Sequence, residues 1–155
     1  MKPILALMLS LAVSLGAMQA AMAGETPEPV GPNLPPRLRG LLVQEMTAIL
    51  GASKDIVEAL VRGRDEVVAE KAQSIHDSFI LKQKMTQADR EALKEAAPAA
   101  FVQRDRAFHE LTGRLAQAAR EGSRDRTHAL FAQMINACTA CHARYATDRF
   151  AGFGR

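Results

Sequence analysis

Residues 37–62 read RLRGLLVQEMTAILGASKDIVEALVR, and the spacing of their apolar side chains decides the fold. Leu38, Leu42, Met46, Ile49, Ile56 and Leu60 recur at intervals of three and four, with Ser53 in the single gap. That period places them along one stripe of an α-helix, with Leu41, Leu50, Val57 and Val61 at its flanks. Gly63 follows as the expected stop.

The same pattern continues down the chain. Val68, Ala72, Ile75 and Phe79 mark a second helix over roughly 65–85. Thr86-Gln-Ala-Asp89 resembles a capping box and opens a short helix that ends before Pro98. Phe101, Phe108, Leu111, Leu115 and Ala118 line a third long helix over about 99–121. Gly122 ends it, and Ser123 is the expected N-cap of a last helix carrying Leu130, Phe131, Met134, Ile135, Cys138, Cys141 and Tyr145. Trp is absent, Tyr145 is the only tyrosine, and the residues that dominate lose little on entering a helix. Four amphipathic helices joined by short turns predict an all-α, antiparallel four-helix bundle.

The N-terminus addresses the chain. Lys2, the apolar run 4–17 and Ala21-Met22-Ala23 have the three parts of a secretory signal, with cleavage expected after Ala23. The run is too short for the ~20 residues a membrane span needs, so no membrane association is expected after cleavage. Residues 24–36 hold five of the seven prolines and read as an extended, Pro-rich leader. A bundle over 37–147 and a tail over 148–155 complete the division. Loss of Lys2 with the signal takes the formal charge from +3 to +2, and no long run of one sign occurs, which excludes a basic nucleic-acid surface.

The chemistry lies in Cys138-Thr-Ala-Cys141-His142. On a helix, positions i and i+3 share a face and i+4 lies beside them, so both thiols and the imidazole point the same way. That arrangement suits one haem c held by thioethers at Cys138 and Cys141, with His142 on the iron, and it agrees with export from the cytoplasm. Other readings fit less well. A thioredoxin-type redox pair needs a βαβ setting, and a structural zinc site needs a fourth ligand. A local disulfide would join Cβ positions turned about 60° apart on one helix. The remaining histidines, His76, His109 and His128, are scattered over three helices. Only 13 residues follow His142, and none is Met, so any sixth iron ligand is expected from an earlier helix.

Cys138-Thr-Ala-Cys141-His142-Ala-Arg-Tyr145 on the last of four helices resembles the class II c-type cytochromes. This is the cytochrome c′ group with its low-spin, methionine-ligated relatives, which commonly carry an aromatic residue three positions after the haem histidine. The resemblance covers essentially all of 37–147. Many members place Arg directly after that aromatic residue, on the proximal side of the haem; this chain has Ala146 there. The resemblance further implies that the residue facing His142 across the haem comes from the first helix. Counted back from Gly63, the family's distal position falls at about Thr47, one residue from Met46 on the stripe. Met46 is therefore expected as distal ligand, although Met also fills helical cores without further role, as Met85 and Met134 can. His76 is the rival ligand, beside Asp77 and flanking the second stripe.

The expected haem pocket comprises Leu42, Ile49, Leu50, Phe79, Met134 and Tyr145, with Arg37, Arg39, Lys82 or Arg144 pairing the propionates. The leading expectation is a periplasmic, non-enzymatic monohaem cytochrome that carries single electrons to an unidentified redox partner protein. A homodimer through the first two helices is common in the group. The alternative is a five-coordinate haem protein that binds NO or CO, with Leu42, Met46, Ile49 and Leu50 as its apolar wall. A weaker third reading is a haem-free helical chaperone or copper carrier. No nucleophile–base pair or carboxylate pair is brought together by the helical period, so no enzyme site is expected.

Overall fold

A computed structural model describes residues 26–77 and 81–153, and these are helical with no strand. The expected signal segment, the first two residues of the expected leader and Phe79 lie outside the described residues. The helices are α1 (Pro36–Val61), α2 (Asp65–His76), α3 (Leu81–Lys84), α4 (Gln87–Ala96), α5 (Ala99–Arg120) and α6 (Arg124–Tyr145). The long helices α1, α2, α5 and α6 form the bundle. α2 packs most extensively on α5, α5 on α6 and α1 on α2, while α1 against α6 is the loosest of the four sides.

Local chemistry sets most of the boundaries. Pro36 starts α1, where its missing N–H costs nothing. Gly63 and Gly122 follow α1 and α5 with φ of 66° and 67°, the left-handed turn that only glycine adopts without strain. The Thr86–Asp89 capping box forms in both directions: the Thr86 hydroxyl accepts from the Asp89 N–H, and the Asp89 carboxylate accepts from the Thr86 N–H. Those bonds, with Arg37 beside the carboxylate, hold Asp89 below its ordinary pKa of 3.8. Ser123 does sit at the N-cap of α6, but its side chain makes no capping bond.

Two expectations need correction. The single helix over 65–85 is divided: α2 ends at His76, and α3 begins at Leu81. At that restart the Leu81 N–H donates to the carboxylate of Glu45 on α1 (3.2 Å). The described part of the Pro-rich leader packs against the end of α6. Glu28 and Val30 donate their N–H groups to the Arg144 and Tyr145 carbonyls at the end of α6 (2.7 and 3.0 Å). They thereby satisfy acceptors that a helix C-terminus leaves open. Val30 and Leu34 are buried with Leu38, Ala97 and Tyr145, so the leader belongs to the core. The buried face of α1 is also turned. It comprises Leu38, Leu41, Glu45, Ile49, Ala52, Ser53, Ile56 and Ala59, roughly 45° round the helix from the expected stripe at about 100° per residue.

Two apolar clusters result. The larger gathers Ile49, Ile56, Val68, Ile75, Leu115 and Met134 among others. Full burial of each such side chain contributes about 1.5–3 kcal/mol. Across it, α2 and α5 are clasped by two histidines: His76 Nδ1–H donates to the His109 carbonyl (2.7 Å), and His109 Nδ1–H to the Ile75 carbonyl (2.6 Å). Each Nδ1 carries the proton because a carbonyl can only accept. Gly113 permits the close approach; a Cβ there would stand 2.9 Å from the His76 ring. The smaller cluster, Val30, Leu34, Leu38, Ala97 and Tyr145 with Leu42, Phe101 and Cys141 packed against it, closes the other end of the bundle.

Candidate haem site

The last turns of α6 present Cys138, Cys141 and His142 on a continuous helix, all partly buried. Both cysteines are free thiols. Burial pushes their pKa up, that of Cys141 to about 11 with the Asp105 carboxylate adding to the effect. They are therefore neutral at physiological pH, the opposite of the stabilised thiolate a redox or nucleophilic cysteine needs. Burial likewise holds the His142 imidazole below its ordinary value of 6.5, favouring the neutral form that binds metal. Tyr145, one turn on, is buried and meets Phe101 edge-to-face at 5.4 Å, with the Arg104 and Arg144 guanidinium groups against its ring.

The expected distal and lining residues are distributed as follows. Met46 is partly buried and borders the larger cluster, as does Ala137, the residue before Cys138. Leu42 and Cys141 both pack on the smaller cluster. Leu42 on α1 thus borders the same cluster as Cys141 on α6, and Met46 the same cluster as Ala137. Ile49 and Met134 are buried in the larger cluster. Leu50 is 56% exposed on the outside of α1 and lines no interior surface, because the buried face is turned away from it. His76 faces α5 in the clasp, and His128 is exposed.

Sequence reasoning missed two carboxylates. Glu45 is fully buried on α1, one residue from Met46. Asp105 on α5 has its pKa raised, first by burial and then by the charge of Glu45, against the opposing pull of His109. His109 Nε2 stands 3.7 Å from the Asp105 carboxylate. The only signal was position: Glu45 follows Leu41 by four and precedes Ile49 by four. Three expected propionate partners are engaged within the protein. Arg37 pairs with Asp89 (3.3 Å), Arg39 donates to the Pro32 and Leu34 carbonyls, and Arg144 donates to Glu28 (2.9 Å) and to the Thr26 carbonyl.

The donor set fits haem c: two neutral thiols one helical turn apart, an adjacent neutral imidazole, and apolar and thioether side chains across the seam. A cavity of about 30 Å³ lined by Leu38, Leu42, Leu81, Phe101 and Asp105 adjoins this end. That is room for one water.

A family model described as Cytochrome C' matches residues 40–146, most of the chain and all of the site. Comparison with curated proteins and with solved structures gave no match. Members of that family are four-helix bundles that imply haem c, function typically as non-enzymatic electron carriers or gas binders, and are typically periplasmic. On the helical bundle, the Cys-x-x-Cys-His turn of α6 and this match, the chain belongs to the cytochrome c′ family.

Proposed function

We propose that this protein is a periplasmic monohaem cytochrome that carries single electrons, with thioether links at Cys138 and Cys141 and with His142 and Met46 as axial ligands. The observation that carries this reading is the placement of Met46 on α1 against the cluster that Ala137, the residue before Cys138, also borders. When bound, haem supplies a one-electron couple whose potential thioether ligation raises. The chain's own part is to keep water from the iron and to hold its ligands still. Tyr145, Phe101 and Leu42 exclude water at the closed end, and the leader bonded to the last carbonyls of α6 keeps the motif-bearing helix from fraying.

A mature chain released from residues 1–23 is part of the proposal, with no membrane or nucleic-acid partner. A redox protein is its partner in turnover. A homodimer through α1 and α2 is included as well, supported by Leu50, Val57 and Val61, which are 56%, 48% and 83% exposed along the outside of α1.

One observation favours the five-coordinate alternative: Glu45, not Met46, occupies the centre of the buried face of α1. The spectrum of the haem-loaded protein tests the two. Met46 ligation gives a low-spin ferrous spectrum that Met46→Ala converts to high spin. An already high-spin wild type that takes up carbon monoxide readily removes Met46 from the iron and leaves the gas-binding reading. A purified mass without haem removes both.

A further inference from the structure

The residues after α6 have no part in the function just proposed, yet they fold back onto its ligand. The Ala146 carbonyl accepts both the Arg149 and the Phe150 N–H (3.0 Å each), and the Phe153 N–H closes a further turn on the Phe150 carbonyl (3.0 Å). Had α6 simply continued, Phe150 would lie about 12 Å along the axis from His142 at 1.5 Å per residue. The reversal instead stacks its ring on the imidazole, with centroids 4.7 Å apart and planes 21° from parallel. Phe153 approaches the same imidazole at 6.5 Å and 64°. The Asp148 carboxylate lies against Gly31, where a Cβ would come within 3.0 Å, so leader and tail meet beside this turn.

Burial of apolar surface does not account for the position of Phe150, whose side chain remains 41% exposed. What the ring covers is His142. We propose that Phe150 is a positioning residue for the proximal ligand: its stacked ring fixes the plane of the His142 imidazole relative to the haem.

This inference rests on the haem reading. Two thioethers and an Nε2–iron bond locate the imidazole but leave its rotation about that bond free, and the imidazole's own χ2 torsion is soft. Metal-bound histidines are oriented by a second group, commonly a hydrogen-bond acceptor on the other nitrogen. The ring contacts of His142 here are both aromatic, and an offset stack at this separation is an attractive geometry.

The test uses the full haem-loaded protein in its ferric form. The paramagnetic shifts of the haem methyl protons in NMR follow the plane of the axial imidazole and are indifferent to mere stability. Phe150→Leu keeps the apolar bulk and removes the stack, and is expected to reorder those shifts. Phe150→Tyr restores the wild-type order, and Phe153→Leu leaves it intact. The wild-type order in Phe150→Leu overturns the proposal, as does an equal change in all three variants, which would mark a general loosening of the tail. A wild-type mass lacking haem overturns the underlying reading; haem present with unmoved shifts overturns this inference alone.

Discussion

The two ends of the bundle are built on different terms. At the end defined by Ile56, Val68, Ile75 and Leu115, four long helices interlock through a dry apolar cluster, and α2 and α5 are clasped by a reciprocal histidine pair. At the end defined by Leu38, Phe101, Cys141 and Tyr145, the core is made partly by a Pro-rich strap and a short helix. Glu45 and Asp105 lie at the level between the two ends, on α1 and α5. The first end has the larger apolar cluster, and the second, which carries the Cys-x-x-Cys-His turn, the smaller one. A fully buried carboxylate such as Glu45 is tolerated in a core only with hydrogen-bond partners, of which the Leu81 N–H is one.

Substitutions at the two ends should therefore differ in size and even in sign. The largest loss is expected from Leu115→Ala, which empties a fully buried position in the dry cluster and costs about 2–5 kcal/mol of unfolding free energy in urea titration. If the dry end carries the fold, the haem-free protein suffers this loss as fully as the loaded one. Gly113→Ala comes next. Its Cβ would press on the His76 ring at 2.9 Å, and the strain of opening the clasp is expected to cost about 1–3 kcal/mol by the same measurement.

The smallest effect is of opposite sign. Asp105 has a raised pKa, so the folded chain holds its proton to higher pH than the unfolded chain, and stability falls as pH rises from 3.8 through the folded value. Asp105→Asn removes that penalty, less whatever the nearby His109 returns to the charged carboxylate. The haem-free variant is expected to match wild type at pH below 3.8 and to melt at a higher temperature at neutral pH. A lower melting temperature at neutral pH would mean that Asp105 is a net support, and the contrast between the ends would fail.

Much of the dry end could be read from the chain. Ile56, Val68, Ile75, Leu111 and Leu115 fall at helical intervals among polar neighbours, and such a pattern can be buried in only one way. Gly63 and Gly122 marked the stops because few other residues tolerate positive φ. The Thr86–Asp89 box was legible because its bonds span only three residues. At the site end the same reasoning slipped. The expected face of α1 was drawn from apolar residues alone and so fell toward Met46, whereas the polar Glu45 is fully buried and accepts from the Leu81 N–H. Arg37, Arg39 and Arg144 looked available for propionates because their partners, Asp89, the leader carbonyls and Glu28, lie far off in sequence or in a segment read only as an extended leader.

What the sequence determined by itself was local: helical period, glycine stops, a capping box, and two cysteines and a histidine on one turn. Each depends on residues within about one turn of one another, where chain geometry leaves little choice. The tertiary structure alone decided which side of α1 is buried, that the leader caps α6, and that Phe150 lies on His142. Those outcomes depend on groups tens of residues apart, such as Leu81 with Glu45 and Glu28 with Arg144, or on a chain reversal that no periodicity records. Their free energies appear only when the helices are together, because only then does a buried carboxylate or an open helix end need a partner.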